Sequence, residues 1–231
     1  MNTWVFDFED VTGGYGGSVV VRGLTGAVAA GQALCVLGRN GVGKSTLLRL
    51  LHGFLPLARG SVRFAGRDLA GLDPARRTAL GVSFAPQERI VFDDLTVREN
   101  LTLMRPGHPL AALAPYFARF PRLAERLGQH AGTLSGGERK LLSLLRVLAE
   151  DRPVALLDEP SEGVQSESVR QMATLIGERK AAGAAFVIVE QNLELVEAVA
   201  DRYLILDQGR TVQAGDRSTL RRAELVAHLR V

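Results

Sequence analysis

The chain has 231 residues, of which 46% are hydrophobic and 23% are charged, and its formal net charge is +3. The length fits one large domain or one domain with a subdomain, and the composition is ordinary for a globular protein that buries a core. The small positive excess suits an anionic ligand, but it is too weak to argue for a nucleic-acid partner by itself.

The single cysteine, Cys35, excludes an internal disulfide and fits a reducing compartment. Because it lies in an apolar run, we interpret it as a small core residue rather than a nucleophile. No N-terminal segment resembles a signal peptide, and no apolar run approaches the length of a membrane span. We therefore expect a cytosolic protein that meets a membrane only through a partner.

The first part of the chain is predicted to form short strands joined by glycine-rich turns. Residues 4–8 alternate between apolar and polar, residues 12–18 are rich in turn formers, residues 19–24 are β-branched, and residues 33–37 form an apolar run. A helix over 46–57 is predicted to follow.

Further elements continue the alternation of strands and helices. Residues 60–68 are predicted to form a hairpin, a helix is predicted to begin at Pro74 behind the N-cap Asp73, and residues 81–85 are predicted to form a strand. Signals are helical from about 90 to 148, with a capping-box candidate at Thr96. The later predictions are strand 154–157, helix 165–182, strand 184–189, helix 193–200 and strand 203–206. This β–α alternation favours a mostly parallel sheet covered on both faces, with the middle helical stretch inserted.

The segment 38–45 reads GRNGVGKS and matches the pattern G-x-x-x-x-G-K-[ST] between a predicted strand and a predicted helix. Its glycines let successive N–H groups face a phosphate, and the helix N-terminus adds partial positive charge. Lys44 can reach the β- and γ-phosphates, and Ser45 can place a hydroxyl on Mg²⁺. We assign to this nucleotide site Gly38, Asn40, Gly41, Gly43, Lys44, Ser45 and Thr46.

Two adjacent carboxylates, Asp158 and Glu159, end the apolar strand 154–157. At the carboxyl edge of a sheet, one could hold Mg²⁺ and its neighbour could polarise an attacking water. Their structural alternative is an N-cap for the next helix, which the phosphate loop makes the weaker reading.

The segment Ser135-Gly136-Gly137 precedes an amphipathic run and offers main-chain N–H donors to a phosphate. As an isolated pattern it could equally be a helix cap. Tyr15, among four glycines upstream of the phosphate loop, could stack on an adenine or could pack on its own hairpin.

The ordered set of motifs resembles that of ATP-binding-cassette ATPases along essentially the whole chain. The segments that carry the resemblance are Tyr15 (A-loop), 38–45 (Walker A), Gln87 (Q-loop), 134–138 (signature), 154–159 (Walker B) and Gln191 (switch). It implies an α/β, ABC-type P-loop NTPase with a RecA-like core, an N-terminal antiparallel β subdomain and an inserted helical subdomain. The core with its β subdomain would span 1–88 and 149–231, and the helical signature subdomain 89–148.

The resemblance also implies an assembly and a mechanism. Two such domains would pair head to tail, so that Ser135, Gly136 and Gly137 of one close on the ATP held by the other. Tyr15 would stack on adenine, and Ser45 and Gln87 would ligate Mg²⁺. The supporting acidic residue would be Asp158, and the catalytic residues would be Glu159, Gln191 and Gln87.

Two residues and one segment depart from the commonest family pattern. Glu138 stands where glutamine is usual, Gln191 stands where histidine is usual, and the segment 161–165 replaces the common Ser-Ala-Leu-Asp at the loop that crosses the dimer interface in the family. These choices are similar to those of importer ATPases for branched-chain amino acids and for urea or short amides. The similarity implies transmembrane permease subunits, a second ATPase subunit or a second copy, and indirectly a periplasmic or extracellular solute-binding protein. The ATPase would be peripheral on the cytoplasmic face of the membrane, and the permease would dock on residues 88–96.

Two other functions stay open at this point. One is a cassette ATPase that acts on nucleic acid or ribosomes, although such proteins usually carry a second cassette, a coiled coil or zinc-binding cysteines. The other is an ATP-dependent regulatory module without turnover, which Gln191 in place of histidine would suit. We expect no nucleic-acid partner.

Overall fold

The structure is a computed structural model that describes residues 4–88, 90–105, 107 and 109–229. The strands in chain order are β1 (Trp4–Tyr15), β2 (Ser18–Ala29), β3 (Ala33–Leu37), β4 (Arg59–Phe64), β5 (Arg67–Asp68), β6 (Val82–Ala85), β7 (Val154–Asp158), β8 (Ala185–Glu190), β9 (Arg202–Asp207) and β10 (Arg210–Asp216). The α-helices are α1 (Lys44–His52), α2 (Pro74–Leu80), α3 (Val97–Thr102), α4 (Ala114–Arg119), α5 (Pro121–Glu125), α6 (Gly136–Ala149), α7 (Ser166–Ala181), α8 (Leu193–Val199) and α9 (Arg222–Leu229).

The strands form two sheets. An antiparallel sheet has the order β2-β1-β4-β5, and a six-stranded sheet has the order β10-β9-β3-β8-β7-β6. In the larger sheet only the edge strand β10 is antiparallel to its neighbour. The carboxyl ends of β3, β6, β7 and β8 therefore meet at one edge, where a ligand can bind.

The larger sheet separates two hydrophobic clusters because successive side chains of a strand point to opposite faces. Leu34 and Val36 pack with α1 and the antiparallel sheet, whereas Cys35 and Leu37 pack with α6, α7 and α8. Cys35 is fully buried, which confirms its assignment to the core. Both faces are covered, so the α/β fold class predicted from the alternation is confirmed.

The turn predicted over 12–18 is wrong, because β1 continues to Tyr15 and only Gly16 and Gly17 form the turn. Residues 13 and 14 are glycine because neighbours approach the strand closely. A Cβ at Gly14 would lie 2.0 Å from the carbonyl oxygen of Ser18, and one at Gly13 would lie 2.6 Å from Leu50 of α1.

The first helix is shorter than predicted, since α1 ends at His52 rather than at 57. Gly53 adopts a left-handed conformation with φ 87°, which terminates a helix. The buried guanidinium of Arg77 then donates to the carbonyl oxygens of Leu50 and Leu51 at 3.3 and 2.7 Å, so the last turn is satisfied from another element.

The inserted helical region is built of short helices, as its prolines suggested.

The predicted helix caps are confirmed: Asp73 accepts from the N–H of Arg76, and Thr96 forms a capping box with Glu99. The elements β10 and α9 were not predicted. Among the described residues, none of the helices combines the length and the hydropathy that crossing a membrane requires.

Candidate active site

The phosphate loop connects β3 to α1 and contains three glycines with positive φ: 153° at Gly38, 80° at Gly41 and 106° at Gly43. The 4% exposed side chain of Lys44 turns back into the loop, where its ammonium donates to the carbonyl oxygens of Gly38 and Arg39 at 2.9 and 3.1 Å. The loop is thus wrapped around a buried cation, as a site for an anionic phosphate chain requires.

Ser45, Asp158 and Gln87 meet at the start of α1. The hydroxyl of Ser45 donates to Asp158 Oδ1 at 2.9 Å and lies 3.4 Å from Gln87 Oε1. Burial raises the pKa of Asp158 to about 6, against the lowering effect of the Ser45 hydrogen bond. Three oxygen donors from three different elements therefore face one point.

Glu159 is the best connected carboxylate of the site. Its Oε1 lies 3.2 Å from Lys44 Nζ and accepts from Gln191 Nε2 at 2.9 Å, while its Oε2 accepts from Gln87 Nε2 at 3.0 Å. Its backbone has φ 46°, a left-handed conformation that is strained for a residue with a side chain. The alternative role as an N-cap does not apply, because α7 begins only at Ser166.

Gln191 follows β8 and bridges two parts of the site. Its Nε2 donates to Asn40 Oδ1 of the phosphate loop at 2.6 Å as well as to Glu159. Asn40, Lys44, Glu159 and Gln191, predicted from separate motifs, are therefore in contact. Thr46, which follows Ser45 in α1, is buried.

Lys140 was missed by the sequence reasoning, although it lies only five positions after Ser135. Its buried side chain donates to the main-chain oxygens of Gln87 and Glu159 at 3.2 and 3.1 Å and approaches Glu162 Oε2 at 3.4 Å. A basic residue one helical turn into an amphipathic run was its only sequence signal. Lys140 ties α6 to the segments after β6 and β7.

Glu190 was also missed as a structural residue. Its Oε1 accepts from both the N–H and the hydroxyl of Ser161, at 2.9 and 2.6 Å. Its Oε2 accepts from the N–H groups of Gln191 and Asn192 at 2.8 and 2.9 Å. This carboxylate joins the segment after β7 to the segment after β8.

Ser135, Gly136 and Gly137 lie at the N-terminus of α6, apart from the phosphate loop. Ser135 is the N-cap of a complete capping box with Glu138, and both Ser135 and Gly136 are exposed. Gly137 approaches the segment after β7 closely, since a Cβ there would lie 3.2 Å from the carbonyl oxygen of Gly163. A cleft of about 620 Å³ opens beside them.

Tyr15 is 43% exposed at the tip of the β1–β2 hairpin, and its hydroxyl accepts from Arg49 of α1 at 3.0 Å. The ring is thus held beside the helix that follows the phosphate loop. This position allows stacking on a base, although the ring also forms part of its own hairpin.

An apolar groove of about 530 Å³ lies between the β1–β2 hairpin, α2 and the helical region. It contains exposed side chains of Phe54, Phe92 and Met104, and the guanidinium of Arg146 lies 5.5 Å from the ring centre of Phe92. Phe92 belongs to the predicted docking segment 88–96, of which Arg89 lies outside the described residues.

Comparisons with known proteins agree with this geometry. The family model for ABC transporter matches residues 21–162. The high-affinity branched-chain amino acid transport ATP-binding protein BraG of Pseudomonas aeruginosa is 34% identical over 212 residues, which are 90% of this chain and 91% of that protein. Nod factor export ATP-binding protein I of Burkholderia pseudomallei is 30% identical over 97% of this chain and 75% of that protein.

A solved structure of an ATP-binding subunit of an ABC transporter superposes with a TM-score of 0.84 at 25% identity, over 96% of this chain and 98% of that chain. The family model covers well over half of the chain, and the relatives match almost all of it. The chain belongs to the ABC transporter family, as an ATP-binding subunit and an ATPase.

Proposed function

We propose that the chain energises a membrane importer by hydrolysing ATP, and that the solute is a branched-chain amino acid or a urea-like short amide. The proposal of ATP hydrolysis rests on the contacts of the Glu159 carboxylate. Two side-chain amides and one ammonium hold this carboxylate at the carboxyl edge of the sheet, next to the phosphate loop.

The loop glycines and Lys44 would bind the phosphates of ATP. The donor set also fits Mg²⁺, because Ser45, Gln87 and Asp158 offer only oxygen ligands and Mg²⁺ prefers such ligands. When bound, Mg²⁺ would neutralise phosphate charge. No cluster of three or more acidic, cysteine or histidine ligands occurs within the described ranges, which suits an ion held largely by a nucleotide.

Glu159 would act as the general base that accepts a proton from the attacking water. Gln87 and Gln191 donate to its two oxygens and so fix the orientation of the carboxylate. Gln191 also donates to Asn40 of the phosphate loop. Its uncharged amide would therefore link Glu159 to the loop that binds the phosphates. A hydrolytic site, rather than a regulatory one without turnover, is the function that this arrangement supports.

Replacing Glu159 by glutamine tests this assignment. We expect steady-state phosphate release to fall roughly 10²- to 10⁴-fold, the usual contribution of a general base, while ATP binding persists. Glu125→Gln is the control, since Glu125 is an exposed glutamate at the end of α5, outside the site. Equal and negligible turnover in wild type and Glu159→Gln would favour the regulatory module.

The separation of Ser135 and Gly137 from the phosphate loop supports a head-to-tail pair of subunits. In such a pair the exposed N-terminus of α6 would close on the γ-phosphate held by the partner. The Glu159→Gln protein should therefore form dimers when ATP is added, measured by light scattering after size-exclusion chromatography. A Lys44→Ala change in the same chain should abolish this dimerisation.

The permease would dock in the groove that contains Phe54, Phe92 and Met104. Phe92→Asp should uncouple transport while ATP binding is retained, because it places a charge in an apolar contact. Val212→Asp is a matched control, since Phe92 and Val212 are both 49% exposed. Full transport by Phe92→Asp would contradict the docking assignment.

The solute class rests on likeness. BraG is named as a branched-chain amino acid transport ATP-binding protein. The segments 161–165 and 190–192 add the resemblance to importers of that group given in the sequence analysis. Affinity capture from gently solubilised membranes, followed by mass spectrometry, tests the assembly. Recovery of multi-spanning permease chains would support a peripheral transport subunit, whereas ribosomal material alone would contradict it.

A further inference from the structure

The signature segment of this chain contains a carboxylate that must be reconciled with an anionic ligand. Glu138 Oε2 accepts from both the N–H and the hydroxyl of Ser135 at 3.0 Å, and the N–H of Glu138 donates to Ser135 Oγ at 3.3 Å. The proton of the Ser135 hydroxyl is therefore directed at Glu138. A phosphate arriving from a partner subunit would need that same proton.

A bare carboxylate at this place would oppose phosphate binding in two ways. It is a strong acceptor, since hydrogen bonds to ionised groups are about twice as strong as neutral ones, and so would retain the serine proton. It also carries a negative charge at the helix end where the γ-phosphate is expected, and like charges repel over short distances in a partly dry site. A neutral glutamine would have neither effect.

Arg126 supplies a compensating charge. Its Nη1 donates to both carboxylate oxygens of Glu138 at 3.0 Å, across the loop that joins α5 to α6. The side chains are 38% exposed for Arg126 and 17% exposed for Glu138, so the pair is partly shielded from water. Burial raises the pKa of Glu138, but the hydrogen bonds from Ser135 and the charge of Arg126 outweigh it and hold the pKa below its usual value.

We propose that Arg126 is a positioning residue for ATP hydrolysis: by neutralising Glu138, it weakens that carboxylate as an acceptor, so that the Ser135 hydroxyl can turn from Glu138 to the γ-phosphate held by a partner subunit. The inference rests on the head-to-tail pairing of the proposed function. It assigns to Arg126 a role that depends on the presence of glutamate, rather than glutamine, at position 138.

The dependence on residue 138 gives the test its control. Steady-state ATPase would be measured for wild type, Arg126→Gln, Glu138→Gln and the double variant, each checked for folding by urea unfolding. We expect Arg126→Gln to lower kcat/KM about tenfold in the Glu138 background, the effect of losing one charge-assisted hydrogen bond at a phosphate contact. In the Glu138→Gln background the same change should cost less than about twofold.

A second background separates positioning from mere stability. In a Ser135→Ala chain the hydroxyl that Arg126 would release is absent, so Arg126→Gln should have no further effect on kcat/KM. An equal loss in the Glu138, Glu138→Gln and Ser135→Ala backgrounds would show that Arg126 acts only on the fold, and would overturn the inference.

The ATP-dependent dimerisation of Glu159→Gln separates failure of the Arg126 inference from failure of the proposed head-to-tail pairing. If dimers form and the Arg126 effect is the same in all backgrounds, only the inference is wrong. If no dimers form with ATP, the proposed pairing is wrong and the inference is wrong with it.

Discussion

Glu190 and Ser161 join two segments that leave neighbouring strands of the parallel sheet. The hydroxyl and the N–H of Ser161 both donate to Oε1 of Glu190, and the second oxygen accepts from the N–H groups of Gln191 and Asn192. Glu190 is 2% exposed, and burial raises the pKa of its carboxyl above the usual value despite these donors. The segment expected to cross a dimer interface is thus linked to the segment that contacts the phosphate loop.

Glu190→Gln should destabilise the protein. The amide NH₂ would face two donors in place of an acceptor, and each buried donor left unsatisfied costs about 1–3 kcal/mol. We expect the free energy of unfolding in urea to fall by roughly 2–4 kcal/mol. The exposed Glu125→Gln is the control, and a change below about 0.5 kcal/mol at both positions would contradict the role of Glu190.

Asp158 should make the protein less stable as pH rises. Its folded pKa of about 6 lies above the usual aspartate pKa of 3.8, so between these values the native state binds more protons than the unfolded state. The free energy of unfolding then falls with rising pH through this window, by up to about 3 kcal/mol. Asp158→Asn removes this effect.

The measurement is urea unfolding of wild type and Asp158→Asn at pH 4.5 and at pH 7.5. The free energy of unfolding of Asp158→Asn minus that of wild type should be larger at pH 7.5 than at pH 4.5. A difference between the two proteins that does not change with pH would show that Asp158 is not desolvated as the structure indicates.

His52 should act in the opposite direction. Its ring stacks against those of Phe54 and Phe84, each with its centre 5.2 Å away, and burial lowers its pKa from 6.5 to about 4. The unfolded state therefore binds the proton first, and stability is lost as pH falls from about 6.5 to about 4, by about 3 kcal/mol at most.

His52→Phe keeps the stacking and removes the buried Nδ1, which has no hydrogen-bond partner. We expect its thermal unfolding midpoint to fall less than that of wild type between pH 7 and pH 5. Parallel profiles for the two proteins would contradict the assignment.

Substitutions of Tyr15 test whether its ring stacks on a base or only packs on its own hairpin. If the ring stacks on adenine, Tyr15→Ala should weaken ATP binding by about 1–3 kcal/mol, whereas Tyr15→Phe keeps the stacking surface. Titration calorimetry with ATP and with inorganic triphosphate makes the comparison, because triphosphate has no base to stack. Equal loss for both ligands would indicate that the substitution disturbs the hairpin and its contact with Arg49.

The sequence predicted those parts of the site that lie in short contiguous motifs. Residues 38–45 and 158–159 carry their chemistry within a few positions, and the order of strands brings them to one sheet edge. Lys140, Glu190 and Arg126 contact residues that are far from them in the sequence or lie at no regular spacing. No local sequence pattern therefore predicts these contacts.

Misplaced boundaries have similar causes. The helix after the phosphate loop ends early because Gly53 adopts a left-handed conformation and Arg77, from α2, caps its carbonyl oxygens. The strand β1 runs through Gly13 and Gly14, which look like turn residues, because close neighbours leave no room for a side chain. Tertiary contacts, rather than local propensity, set both boundaries.

Lys140 also bears on which substitutions the site can tolerate. Its ammonium holds the main-chain oxygens of Gln87 and Glu159, and a main-chain oxygen is present whatever side chain a residue carries. Replacing these two side chains, which we propose to be catalytic, therefore leaves α6 attached to the segments that bear them. The side chain proposed as the base can therefore be replaced while the hydrogen bonds that join α6 to the segments after β6 and β7 are kept.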